Sequence, residues 1–94
     1  MAAYVIGEVK ILKPTEMGEY GRMVAEAVAA HGGRYLARGA EPFVLEGGPA
    51  HNVLLIEFPD KDAALAWYAS PAYQAAKKLR EGKSNLRLVV IDDA

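Results

Sequence analysis

The segment His51–Phe58 (HNVLLIEF) carries apolar side chains on both of its faces. Successive side chains of an extended chain point to opposite sides. Val53 and Leu55 therefore share one face, and Leu54, Ile56 and Phe58 the other. Asn85–Ile91 (NLRLVVI) repeats the pattern, with Leu86, Leu88 and Val90 set against Val89 and Ile91. A sheet built from such strands needs a cover on each side.

The rest of the chain limits what those covers can be. Ninety-four residues are expected to form one domain, residues 1–94. That length excludes a (β/α)₈ barrel of roughly 250 residues and a complete dinucleotide-binding double winding. Ala3–Leu12 (AYVIGEVKIL) is rich in β-branched residues and reads as a first strand. Pro14, Thr15 and Glu16 open a helix whose apolar stripe is Met17, Tyr20, Val24, Ala27, Val28 and His31, and Gly32-Gly33 ends it. Arg34–Arg38 is a second strand, and Gly39 to Pro42 interrupt it. Phe43-Val44-Leu45 reads as an extended segment that forms a hairpin with His51–Phe58 across the Gly47-Gly48-Pro49 turn. Asp60 is an N-cap for a helix running to about Ala69. Ser70-Pro71 breaks and restarts it, with Ser70 as N-cap and Pro71 at the first helical position, and Gly82 ends the second piece. Asp92-Asp93-Ala94 reads as a frayed tail.

This order predicts an α+β fold of the ferredoxin-like βαββαβ type, with an antiparallel sheet. Its helices cover one face of the sheet only. Packing two sheets face to face in a homodimer covers the other.

Composition narrows the partners. Eleven Lys and Arg against twelve Asp and Glu give a net charge of −1, without the positive surplus that nucleic-acid binding requires. The one basic cluster (Lys77, Lys78, Arg80, Lys83 and Arg87) lies mostly at a helix end, where it reads as a solvated face. There is no cysteine, hence no disulfide framework and no thiolate chemistry. No stretch approaches the ~20 apolar residues of a membrane span, and the first residues lack the pattern of a secretory leader. A cytoplasmic location is expected. The two histidines lack ligand-like spacing, so no metal and no cofactor is expected.

Three blocks in fixed order resemble a known family: Gly32-Gly33-Arg34-Tyr35-Leu36-Ala37-Arg38-Gly39; Ile56-Glu57-Phe58-Pro59; and Ala66-Trp67-Tyr68 with Ser70-Pro71-Ala72-Tyr73-Gln74 and Lys77-Leu79-Arg80. The sequence is similar nearly end to end to the family numbered 1330 among domains of unknown function. The resemblance implies a dimeric α/β barrel and no particular activity. The wider superfamily includes cofactor-independent monooxygenases, muconolactone isomerases, YCII-related proteins and haem-binding members, a likeness of fold that does not carry function.

Candidate chemistry rests on few residues. Arg38, at the end of the second strand, suits bidentate binding of a carboxylate or enolate, or else pairs with Glu57 or Glu41. Glu57 lies inside an apolar strand and is either a general base or the counter-ion of Arg38. Arg34 falls on the same face as Arg38 by the two-residue period and reads as solvated. Tyr35, Trp67 and Tyr73 are candidates to line a pocket, with Tyr73 the one best set to present its hydroxyl. Ser70 is explained as a helix cap or orients a substrate. His31 reads as a helix C-terminal capping group. Two functions follow: a homodimer binding a small anionic or aromatic metabolite, with or without cofactor-independent acid/base chemistry by Glu57 and Arg38, or a non-catalytic binding or structural module.

Overall fold

The computed structural model describes residues 1–13 and 18–92. The expected helix start at Pro14 to Met17 and the tail residues Asp93 and Ala94 lie outside the described residues. The elements are β1 (Ala3–Ile11), α1 (Gly18–Ala30), β2 (Arg34–Ala40), β3 (Asn52–Phe58), α2 (Lys61–Ala69), α3 (Pro71–Leu79) and β4 (Ser84–Asp92). The strands form one sheet in the order β2-β3-β1-β4, with every neighbouring pair antiparallel. This is the ferredoxin-like α+β arrangement that the alternation and element order predict.

All three helices cover one face. Ala3 and Val5 of β1 and Ile56 and Phe58 of β3 point into the core, where they meet Val24, Ala27 and Val28 of α1, Ala64 and Trp67 of α2, and Tyr73 and Ala76 of α3. Among the described residues of the stripe read along the first helix, Val24, Ala27 and Val28 are buried and Tyr20 packs against them. The opposite face carries Ile6, Val53 and Leu55, half-buried, with Leu36, Val89 and Ile91 exposed by 45%, 41% and 49%. That face joins these apolar side chains to Glu8, Arg34, Glu57 and Arg87, and among the described residues the buried core cluster lies on the other side.

Local chemistry fixes the helix ends as expected. Asp60 accepts a 2.7 Å hydrogen bond from the Ala63 amide. Ser70 caps α3 by accepting from the Tyr73 amide at 3.2 Å, and donates to the Trp67 carbonyl at 2.7 Å. One hydroxyl thereby ends α2 and starts α3. His31 Nδ1 lies 2.8 Å from the Ala27 carbonyl oxygen, the capping position read from its place in the stripe.

The predicted hairpin of Phe43–Leu45 with the third strand does not form. Residues 41–51 lie outside regular structure, and Phe43 and Leu45 are each 88% exposed. The reason is competition for β3. The second strand continues through Gly39 to Ala40 and occupies one edge of β3 from Glu57 to Val53, while β1 holds the other. No edge of β3 remains for a further strand.

Candidate functional site

Two irregularities in β2 decide where its side chains point. Its register against β3 runs Arg34↔Glu57, Tyr35↔Ile56, Ala37↔Leu55, Arg38↔Leu54 and Ala40↔Val53, with shifts between Tyr35 and Ala37 and between Arg38 and Ala40. Residues opposite each other share a face. An extra residue in one strand reverses the alternation. Tyr35 and Arg38 therefore both stand on the helix-covered face with Ile56 and Leu54, whereas Arg34 stands with Glu57 on the open face. This corrects the expectation that Arg34 and Arg38 share a face, which held only for an unbroken two-residue period.

The ion pair changes accordingly. Arg34 Nε donates to Glu57 Oε1 at 2.7 Å, with Arg34 largely exposed and Glu57 half-buried. Arg38 instead donates through Nη2 to the Gly21 carbonyl at 3.0 Å, and its guanidinium stacks 4.8 Å above the Tyr35 ring centre. Arg38 and Glu57 thus lie on opposite sides of the sheet. The pairing of these two residues considered from the sequence is not formed.

Between the sheet and the helices lie two cavities that share Leu86 as a wall. One, of about 190 Å³, is lined by Tyr20, Tyr35, Arg38 and apolar residues of β1 and α1. The other, of about 270 Å³, is lined by Trp67, Tyr68, Arg80 and apolar residues of β4. Trp67 packs on Tyr73 with ring centres 4.6 Å apart and on Phe58 at 5.4 Å. Burial pushes the Tyr20 hydroxyl well above its ordinary range; the Tyr73 hydroxyl nearby adds to the effect, and Arg80 opposes it. Burial also raises Tyr35, against the pull of Arg38. These phenols stay neutral and act as donors.

Four polar atoms lack partners, two of them on the cavity-lining residues Trp67 and Arg80. Trp67 Nε1, Tyr73 Oη, Arg80 Nε and Ser84 Oγ are buried with no hydrogen bond. Tyr73 and Trp67 are each 1% exposed, so water at the surface cannot serve them. Although Tyr73 Oη is close enough to influence Tyr20, no hydrogen bond of normal geometry joins the two. Buried donors left unpaired cost roughly 1–3 kcal/mol each. All four groups can donate, and two of them, Trp67 and Arg80, line a cavity.

Of the residues singled out in the sequence, Tyr35, Arg38, Trp67 and Tyr73 therefore all lie on the helix side of the sheet, Tyr35 and Arg38 at one cavity and Trp67 at the other. Glu57 lies across the sheet from them, and the hydroxyl of Ser70 is committed to the helix junction. Tyr20, Arg80 and Ser84 were not recognised as candidates. Tyr20 was read as core and Arg80 as part of a solvated cluster. The signal for Arg80 was its place four and seven residues on from Ala76 and Tyr73, which puts it in line with the inward face of α3. Among the described residues, no group of three or more His, Asp or Glu side chains could hold a metal ion. No helix among them is long and apolar enough to cross a membrane.

A four-stranded antiparallel sheet with its helices on one face and a donor-lined cleft beneath them defines a ferredoxin-like α+β protein. The family model for the domain of unknown function DUF1330 matches residues 2–94, and the chain belongs to that family. Among solved structures it is similar to RPA0582, a protein of unknown function from Rhodopseudomonas palustris, with 19% identity, a TM-score of 0.78, and coverage of 99% of this chain and 82% of that one. It is also similar to a dimeric ferredoxin-like protein of unknown function from Jannaschia sp. CCS1, with 14% identity, a TM-score of 0.67, and coverage of 99% and 100%. A third similar structure is SnoaB, a cofactor-independent oxygenase from Streptomyces nogalater, with 13% identity, a TM-score of 0.63, and coverage of 99% and 93%. At such identities the likeness is one of fold. No curated protein matches the sequence.

Proposed function

We propose that this protein is a homodimer that binds a small anionic or aromatic metabolite between its sheet and its helices. The observation that carries the reading is the pair of buried, unpartnered donors on Trp67 and Arg80, which line the same cavity. Arg38 and Arg80 supply positive charge at the two cavities, neutral tyrosines supply hydrogen bonds, and Trp67 and Tyr35 supply flat apolar surface. A carboxylate, phenolate or enolate oxygen suits every one of these groups. Neither cavity is lined by a carboxylate or an imidazole among the described residues. The arrangement therefore favours binding over acid/base chemistry by a protein base, and Glu57 takes no part in it.

Self-association is supported by the apolar open face of the sheet. Similar structures described as dimeric, such as the Jannaschia protein, agree with it.

A thermal-shift screen of aromatic carboxylates and phenols tests the binding. Saturable stabilisation is expected, weakened at least tenfold by Arg80→Met and by Tyr73→Phe and unchanged by Glu57→Gln. Absence of any stabilising compound, or stabilisation indifferent to Arg80 and Tyr73, overturns the reading.

A further inference from the structure

Leu86 is the one described residue that lines both cavities between the sheet and the helices. It stands on β4 opposite Val9 of β1, which belongs to the smaller cavity, while Leu88, next along the same face of β4, belongs to the larger. The central strand carries Gly7 beside them, in register with Leu54 on one side and Leu88 on the other. A Cβ at Gly7 would lie 2.8 Å from Leu88 Cδ2 and 3.4 Å from Leu54 Cβ, so Leu88 leans into the space that a side chain there would take. Leucines thus close the floor between the cavities, and Leu86 is the ridge at which their walls meet.

The division bears on ligand size. An apolar cavity of about 150 Å³ holds one benzene ring. Cavities of about 190 and 270 Å³ therefore each have room for one ring and a small polar group. Neither reaches the ~300–1,000 Å³ of a site for a larger ligand, whereas the two joined would. They also differ in what they offer an acid. The larger is lined by Trp67 and Arg80, whose Nε1 and Nε are buried without a hydrogen bond. Arg38, at the smaller, already donates to the Gly21 carbonyl and stacks on Tyr35.

We propose that Leu86 sets the length of the ligand: it confines a single-ring acid to the larger cavity and keeps a second ring out of the smaller one. The inference rests on the binding proposed above and adds its size limit. Truncation of Leu86 to alanine removes the branched end of the side chain and opens one cavity into the other.

Two acids that differ by one ring, benzoate and para-phenylbenzoate, test it by calorimetric titration. In the natural chain the second ring stays in water and should change the dissociation constant by less than about threefold. In Leu86→Ala it should tighten binding at least about tenfold, the gain from burying a ring. Leu65 lines the larger cavity alone, so Leu65→Ala should keep the ratio of the natural chain, which separates a divider from mere extra room. Tyr35 lines the smaller cavity alone, so adding Tyr35→Ala to Leu86→Ala should remove most of the gain. Should Leu86→Ala fail to fold by circular dichroism, Leu86→Val serves instead, with a smaller gain in the same direction. A natural chain that binds benzoate overturns the divider, and leaves the binding standing, if it already prefers para-phenylbenzoate tenfold, if substitution of Leu86 leaves the ratio unchanged, or if Leu65→Ala raises it equally. Binding of neither acid, by the natural chain or by the Leu86 variants, overturns both.

Discussion

Arg34 and Arg38, four positions apart on one strand, stand on opposite faces of the sheet. The cause is the register shift between Tyr35 and Ala37, which carries Arg38 over to the helix side while Arg34 stays with Glu57. One inserted residue thus separates a surface ion pair from a cleft arginine, and it assigns the two cations to different tasks.

Double-mutant cycles should detect this separation. Arg34→Ala and Glu57→Gln are expected to couple by about 0.2–1 kcal/mol in urea unfolding, the range of a largely exposed ion pair. Arg38→Ala and Glu57→Gln should add within about 0.3 kcal/mol, as residues without shared partners do. A large coupling between Arg38 and Glu57 would mean that the strand runs without its irregularity.

Ser70 serves two helices at once, so its loss should be felt twice. Ser70→Ala removes the acceptor for the Tyr73 amide and the donor to the Trp67 carbonyl. A destabilisation of about 1–2 kcal/mol is expected from the cap alone. Ser70→Asp, which keeps the acceptor but not the donor, should recover part of it. Melting temperatures of the two variants check the order.

Two glycines near β2 should respond to substitution for different reasons. A Cβ at Gly33 would lie 2.6 Å from Phe58 Cε1 and 2.9 Å from Val28 Cγ1, inside a packed core. Gly33→Ala should therefore cost about 1–3 kcal/mol by overpacking, partly relieved in combination with Phe58→Leu. Gly39 has open space around it but a φ of +74°. Gly39→Ala should cost about 1 kcal/mol through its backbone, and Gly39→Asn less, since asparagine tolerates the left-handed region. Equal responses to Ala and Asn at position 39 would count against the conformational explanation.

Much of this architecture was legible in the residues. The alternation of Val53 and Leu55 with Leu54, Ile56 and Phe58 foretold a sheet apolar on both sides, and Ser70-Pro71 marked the helix junction to the residue. What stayed hidden depended on three dimensions. Phe43-Val44-Leu45 has strong strand chemistry, yet whether it pairs depends on who else claims the edge of β3, and β2 took it all. The bulge near Tyr35 leaves no mark in residue type, so the face of Arg38 could not be read from the period. Arg80 looked like one more surface cation because its charge was counted before its helical spacing from Tyr73. Long polar side chains with buried stems mislead in this way, since composition records the charge and burial follows from the packing.

Alkaline unfolding should expose the buried phenols. Tyr20 and Tyr35 are both held above the ordinary tyrosine value of about 10, chiefly by burial. A raised folded-state value means that the native chain keeps its phenolic protons after the unfolded chain has begun to lose them. Above about pH 10 the unfolded state therefore binds fewer protons than the native one, and stability falls as pH rises. The contribution is complete below that point and is lost on going up through the native values. Tyr20→Phe should flatten the alkaline decline in melting temperature, and Tyr35→Phe should do so to a smaller degree, while both leave the neutral-pH pH dependence unaltered. Absorbance titration of phenolate in the folded protein offers an independent check, in which Tyr20 should ionise only as the fold gives way. Ionisation of Tyr20 and Tyr35 at their ordinary value, with the fold intact, would contradict the burial that raises them.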